Sequence, residues 1–120
     1  MRKVYYLSTC DTCKRILKEL NISDEIEKQD IKTEKITEEQ LEEMRKMAGS
    51  YEKLFSKVAR KYRELKLKDK NLGEEDFKKY ILEEYTFLKR PVFILNDEIF
   101  IGNSKKTVLA IGQKLGGTLI

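Results

Sequence analysis

The chain has no histidine, only two cysteines and a single proline in 120 residues. Without histidine, Cys-His and Ser-His nucleophile pairs are excluded. Cys10 and Cys13 alone cannot complete a Cys/His zinc set, so no metal is expected. No apolar run approaches the roughly 20 residues that a membrane-spanning helix needs. A glycine-rich phosphate loop is also missing, and no bound cofactor is expected. Two cysteines are too few for a disulfide scaffold, and the N-terminus passes straight into a strand-like run without a signal-peptide pattern. Together these lead us to expect a reactive thiol pair in a reducing, cytoplasmic setting.

Charge, by contrast, is plentiful. Charged residues make up 38% of the chain and apolar residues 40%, with a net charge of +4. This suits one globular domain with a heavily charged surface. The excess is too small to imply direct binding to nucleic acid without a clustered patch. Basic residues do gather between Lys57 and Lys70, but Glu64 and Asp69 interrupt them. A solvated helix face is the plainer reading of that run.

Residues 2–7 read as a buried strand and 11–20 as a helix. Cys13, Ile16, Leu17 and Leu20 fall on one face of that helix, and Asn21 is placed to stop it. Residues 25–31 form a weakly alternating second strand with Ile26 and Ile31 as anchors. Thr37 and Gln40 make a capping-box pattern, with Ile36 and Leu41 set as a hydrophobic staple. Leu41, Met44 and Met47 then share a face as far as Gly49. Two further helical segments are read at 51–66, with Tyr51, Leu54, Phe55, Val58, Tyr62 and Leu65, and at 74–85, with Phe77, Tyr80, Ile81 and Tyr85. These methionine and aromatic stripes read as core. Val92–Leu95 and Ile99–Ile101, joined by Asn96-Asp97 and ended by Gly102, read as a β-hairpin. Ser104 can cap a last helix presenting Val108, Ile111 and Leu115, which Gly116-Gly117 would stop.

The chemistry concentrates at Cys10-Asp11-Thr12-Cys13-Lys14, where a strand turns into a helix. A thiol at a helix N-terminus sits at the positive end of the dipole, which favours thiolate. A free thiol is only about 3% ionised at pH 7, so even a modest shift matters. Cys10 is the candidate nucleophile. Lys14 and Arg15 can assist it, whereas Asp11 opposes it. Cys13, one turn on, can resolve an adduct on Cys10, although its place on the apolar face equally suits a core residue. Ser8, Thr9 and Thr12 offer hydroxyl donors to an anion, or simply cap the helix. Taken alone, Pro91 reads as a trans proline at strand entry and Arg90 as half of a surface ion pair. A guanidinium there can also bind an oxyanion or thiolate through paired donors.

Cys10-x-x-Cys13-Lys14, Leu88-Lys89-Arg90-Pro91-Val92, Asn96-Asp97 and Ile101-Gly102 together resemble the arsenate reductase-like family, which includes Spx-type regulators. Leu54-Phe55 followed by Tyr62-Arg63-Glu64-Leu65 resembles an insert motif of the same family. The resemblance covers essentially the whole chain. It implies a thioredoxin-like (glutaredoxin-like) α/β core at about 1–32 and 88–120, with a helical insert at about 33–87. It also implies that Cys10 is the reactive thiol, that Pro91 is cis and faces the cysteine turn, and that Arg90 binds an anion. An oxidoreductase of this kind draws electrons from glutathione and glutaredoxin or from thioredoxin, and takes arsenate, another small oxyanion or an oxidised thiol as substrate. Glutathione-linked members typically carry serine where Cys13 stands and arginines where Ser56 and Gly102 stand, with Arg60 near the first but out of register. Spx-type members share the cysteine pair and the glycine, and their partner is the C-terminal domain of the RNA polymerase α subunit. A redox-sensing regulator is therefore the alternative to an enzyme, and a glutaredoxin-like disulfide exchanger is a third reading.

Overall fold

In the computed structural model, which describes residues 2–116, the alternating and helical patterns become a mixed four-stranded sheet and five α-helices. The strands are β1 (Arg2–Tyr6), β2 (Glu27–Asp30), β3 (Val92–Leu95) and β4 (Glu98–Ile101). The helices are α1 (Asp11–Glu19), α2 (Glu38–Ala48), α3 (Arg60–Glu64), α4 (Glu74–Glu83) and α5 (Lys105–Gly116). The sheet order is β2-β1-β3-β4. β1 pairs parallel to β2 and antiparallel to β3, and β3 forms a hairpin with β4. Among the described residues, no helix is long and apolar enough to cross a membrane.

The chain divides into two compact units. One runs to Glu34 and resumes at Arg90; the other is Lys35–Lys89. In the first unit, Val4, Phe93 and Leu95 of the sheet join Ile16, Leu20, Ile26 and Ile111 in a single buried cluster. Tyr6, Leu17, Ile22, Phe100, Val108 and Leu115 pack at its margin. The apolar faces expected of α1 and α5 are therefore the faces they bury. β3 is buried at every position, which explains why its sequence does not alternate. Asn21 and Asn96 adopt left-handed backbone, with φ of 50° and 62°. A short polar side chain tolerates that conformation best after glycine, so both can turn the chain. Ser104 accepts the Thr107 N–H at 3.1 Å and starts α5. Gly116 is the last residue of α5, and Gly117 lies outside the described residues.

In the second unit the capping box of α2 is complete. Thr37 Oγ1 accepts the Gln40 N–H and Gln40 Oε1 accepts the Thr37 N–H, each at 3.0 Å. Ile36, Leu41 and Met44 are buried, and Gly49 closes the helix with φ of 102°. Phe55 lies between Phe77 and Phe87, with ring centroids 4.8 and 5.0 Å away. The expected helix over 51–66 is not formed as one element. A 3₁₀ turn at Glu52–Leu54 gives way to extended backbone, and α3 starts only at Arg60. The cause is pairing with a distant segment. Phe55 bridges Leu88, the Ser56 N–H donates to the Phe87 carbonyl at 2.7 Å, and the Lys89 N–H donates to Leu54 at 2.8 Å. Those bonds outcompete local helix, and Val58 and Leu65, expected inside, are exposed. The segment read at about 74–85 is one helix, α4, which ends at Glu83 and is followed by a 3₁₀ turn at Tyr85–Phe87.

Candidate functional site

The turn from β1 to α1 carries the two thiols, both of them free. Cys10 is the N-cap residue of α1, with extended backbone at φ −97° and ψ 112°. Its N–H donates to the Leu7 carbonyl at 3.0 Å, and its carbonyl accepts the Lys14 N–H at 3.1 Å. The turn thus closes on one side and the helix opens on the other. Cys10 is partly exposed, whereas Cys13, one helical turn later, is fully buried.

This geometry drives the two thiols apart. Burial works against ionising Cys10, but it is outweighed. The backbone N–H and the thiol of Cys13, the positive charge of Arg90 and the Thr12 N–H all favour the thiolate, and Cys10 is held below the ordinary thiol value. The sulfur makes no full N-cap hydrogen bond. The first-turn N–H groups of Thr12 and Cys13 nevertheless favour a negative charge there. Cys13 moves the other way, pushed up to about 11. Burial is the largest cause, followed by the negative charge on Cys10 after a partial offset from the Leu7 N–H; Arg90 also opposes the rise. The Cys10 thiol is thus the more readily ionised of the two.

Arg90 and Pro91 come from the other end of the chain, at the entry to β3. The Arg90–Pro91 peptide bond is cis, as the resemblance implied and as composition alone did not. The Arg90 guanidinium, whose Nε is buried, acts on both thiols. Pro91 is buried, and its carbonyl accepts the Gly102 N–H at 2.9 Å.

The remaining sequence candidates are placed differently. Thr12 contributes its backbone N–H to Cys10. Lys14 is exposed, and Arg15 is exposed and lies 3.9 Å from Glu19. The groups that favour the Cys10 thiolate against its burial are thus Cys13, Arg90 and Thr12, and not the basic pair expected from the motif. Thr9 is exposed. Ser8 turns to the Asp30 carboxylate, its N–H donating to Oδ1 at 3.2 Å. Asp30 was not singled out by the sequence. Its only signal there is its place at the end of the second strand, which lies 20 residues away from Cys10 and gives no hint of the contact. Ser56 is buried in the second unit, with its N–H engaged by Phe87, and Arg60 is exposed on α3.

The sequence matches the ArsC family over residues 5–111. The chain belongs to that family. No curated protein matches it. Among solved structures it is similar to an arsenate reductase from Vibrio cholerae, with 19% identity and a TM-score of 0.75 over 92% of this chain and 96% of that one. It is similar too to an arsenate reductase (ArsC) related protein from Brucella melitensis, with 22% identity and a TM-score of 0.70 over 91% and 92% of the two chains. A Staphylococcus aureus protein, SACOL0876, shares 29% identity, with a TM-score of 0.68 over 89% and 94% of the two chains. The fold is the thioredoxin-like fold of these proteins.

Proposed function

We propose that the protein is a thiol-dependent oxidoreductase in which Cys10 is the nucleophile, Cys13 the resolving thiol and Arg90 the residue that steadies negative charge. The observation that carries this reading is the opposed state of the two thiols at the head of α1, Cys10 lowered and Cys13 raised, with Arg90 acting on both. Arsenate is the proposed substrate, in keeping with the family. The Cys10 thiolate displaces a hydroxyl from arsenate; an S–As(V) bond forms and the hydroxyl leaves as water after taking a proton. Cys10 then carries no free negative charge, so one cause of the high Cys13 value disappears and Cys13 ionises more readily. The Cys13 thiolate attacks the Cys10 sulfur. The S–S bond forms, the S–As bond breaks, and its electron pair reduces arsenic to As(III), which leaves as arsenite. Glutathione with glutaredoxin, or thioredoxin, supplies the two electrons that reopen the disulfide. Thr12, Lys14 and Pro91 border the anion in this scheme.

The test is arsenate-dependent NADPH oxidation, coupled once through glutathione and glutaredoxin and once through thioredoxin, for the wild type and Cys10→Ser. Turnover that vanishes in Cys10→Ser supports the reductase, and the active coupling system names the donor. One observation favours a second reading. Gly102 occupies the position after β4 where glutathione-linked reductases carry an arginine, and its φ of 92° suits glycine. A site with fewer cations fits a redox-sensing regulator that contacts the RNA polymerase α C-terminal domain without turnover. Pull-down with that domain, before and after oxidation, separates the two readings.

A further inference from the structure

Asp30 is the last residue of β2 and lies in register with Tyr6 of β1. The Ile31 N–H donates to the Tyr6 carbonyl at 2.9 Å, which extends the pairing by one step. The chain leaves β1 at that point and reaches Cys10 four residues later, through Leu7, Ser8 and Thr9. One end of this turn is tied to β1 and the other to α1. Its middle is held from the side by Asp30, whose Oδ1 accepts the N–H groups of Ser8 and Lys32, each at 3.2 Å. Burial disfavours the Asp30 carboxylate, but the Ser8 side chain and N–H and the Lys32 N–H outweigh it and hold its carboxyl below the usual range. Hydrogen bonds to a charged acceptor are about twice as strong as neutral ones. The Thr9 side of the turn is exposed and contributes no buried anchor.

We propose that Asp30 is the positioning residue for Cys10: by clamping Ser8 it fixes where the Cys10 sulfur stands relative to the N–H groups of Thr12 and Cys13. The inference rests on the thiol chemistry above, but not on arsenate as substrate. N–H groups lose their hold on an acceptor steeply as distance and angle degrade. A loosened turn therefore costs Cys10 its thiolate character. The carboxylate's own charge opposes a nearby thiolate, so Asp30 acts through geometry and not through charge. Asparagine separates the two effects, because it keeps an acceptor oxygen and removes the charge.

The experiment is the pH profile of Cys10 alkylation by iodoacetamide, localised by mass spectrometry in the full reduced chain, alongside thermal melting. Asp30→Ala is expected to slow alkylation at pH 7 by about three- to tenfold and to move the midpoint toward that of a free thiol. Asp30→Asn is expected to stay within about twofold of the wild-type rate. An unchanged profile in Asp30→Ala, even with a lower Tm, reduces Asp30 to a structural strut and overturns the proposal. Equal losses in Asp30→Asn and Asp30→Ala overturn it as well, because the acceptor would then not matter. If Asp30→Ala does not fold, Asp30→Glu, which keeps the charge but moves the acceptor one methylene out of place for the Ser8 N–H, must shift the profile in the same direction; no shift overturns the proposal. A wild-type Cys10 that titrates as an ordinary thiol removes both this inference and the thiol reading. Absent arsenate turnover with the expected profiles intact removes only the substrate.

Discussion

The Gly102 N–H donates to the Pro91 carbonyl at 2.9 Å, so the end of the β3–β4 hairpin is tied to the turn that carries Arg90. Gly102 holds a φ of 92°, and a Cβ there would meet nothing within 4 Å. A side chain at this position is strained by its backbone and not by crowding. Gly102→Ala should lower stability by about 1–2 kcal/mol in urea unfolding. A change below a few tenths of a kcal/mol would show that the left-handed conformation is not retained in solution.

Arg90 acts on both thiols, and its removal should show in reactivity before it shows in stability. Arg90→Gln is expected to slow Cys10 alkylation at pH 7 by about three- to tenfold, because the thiolate loses its cation. Arg90→Lys should recover part of the rate, since it restores the charge without the paired donors. Identical pH profiles for wild type and Arg90→Gln would sink the electrostatic role.

The two cysteines also give stability a dependence on pH. Cys13 in the folded protein lies near 11, above its ordinary 9.0, because it is buried and faces Cys10. Between those values the folded chain keeps a proton that the unfolded chain has released. This contribution is complete below about pH 9 and is lost as pH rises toward 11. Cys10, with a lowered value, works in the opposite sense: its contribution is present above its ordinary value and fades as pH falls through the folded one. The Tm of the reduced wild type should therefore fall more steeply between pH 9 and 11 than that of Cys13→Ala. Parallel curves would mean that the Cys13 thiol is not protected from ionisation.

Phe55 organises the second unit. It stacks on Phe87 at 5.0 Å, meets Phe77 at 4.8 Å and bridges Leu88 through its backbone. Phe55→Ala should cost about 3–5 kcal/mol, since the neighbouring rings cannot all close the cavity. Phe55→Leu should cost less because it retains most of the buried volume. Guanidinium unfolding distinguishes the pair, and equal costs would argue that retained volume does not help and that the ring contacts carry the whole effect.

Much of the chain is legible one residue after another because the controlling interactions are local. Thr37 and Gln40 satisfy each other's backbone within a single turn, and Asn96-Asp97 reverses β3 into β4 without outside help. Cys13, Ile16, Leu17 and Leu20 mark the buried face of α1 by spacing alone. The segment 51–66 carries an equally persuasive helical pattern and is not one helix, because the backbone of Leu54 to Ser56 bonds to Phe87, Leu88 and Lys89. Periodicity reports what a segment can bury and is silent about a competing partner some thirty residues away.

The same division runs through the site. The local order of residues is enough to place two thiols at a strand-to-helix turn, since a short motif and its flanking strand and helix put sulfur at the head of a helix. Which charges reach those thiols depends on contacts made across the fold. Lys14 and Arg15, adjacent in sequence, lie on the exposed side of α1, whereas Arg90, 80 residues from Cys10, acts on both sulfurs. Asp30 meets Ser8 because β2 lies parallel to β1 in one particular register. Electrostatic influence falls with distance through space, and the folded sheet, not the order of residues along the chain, sets those distances.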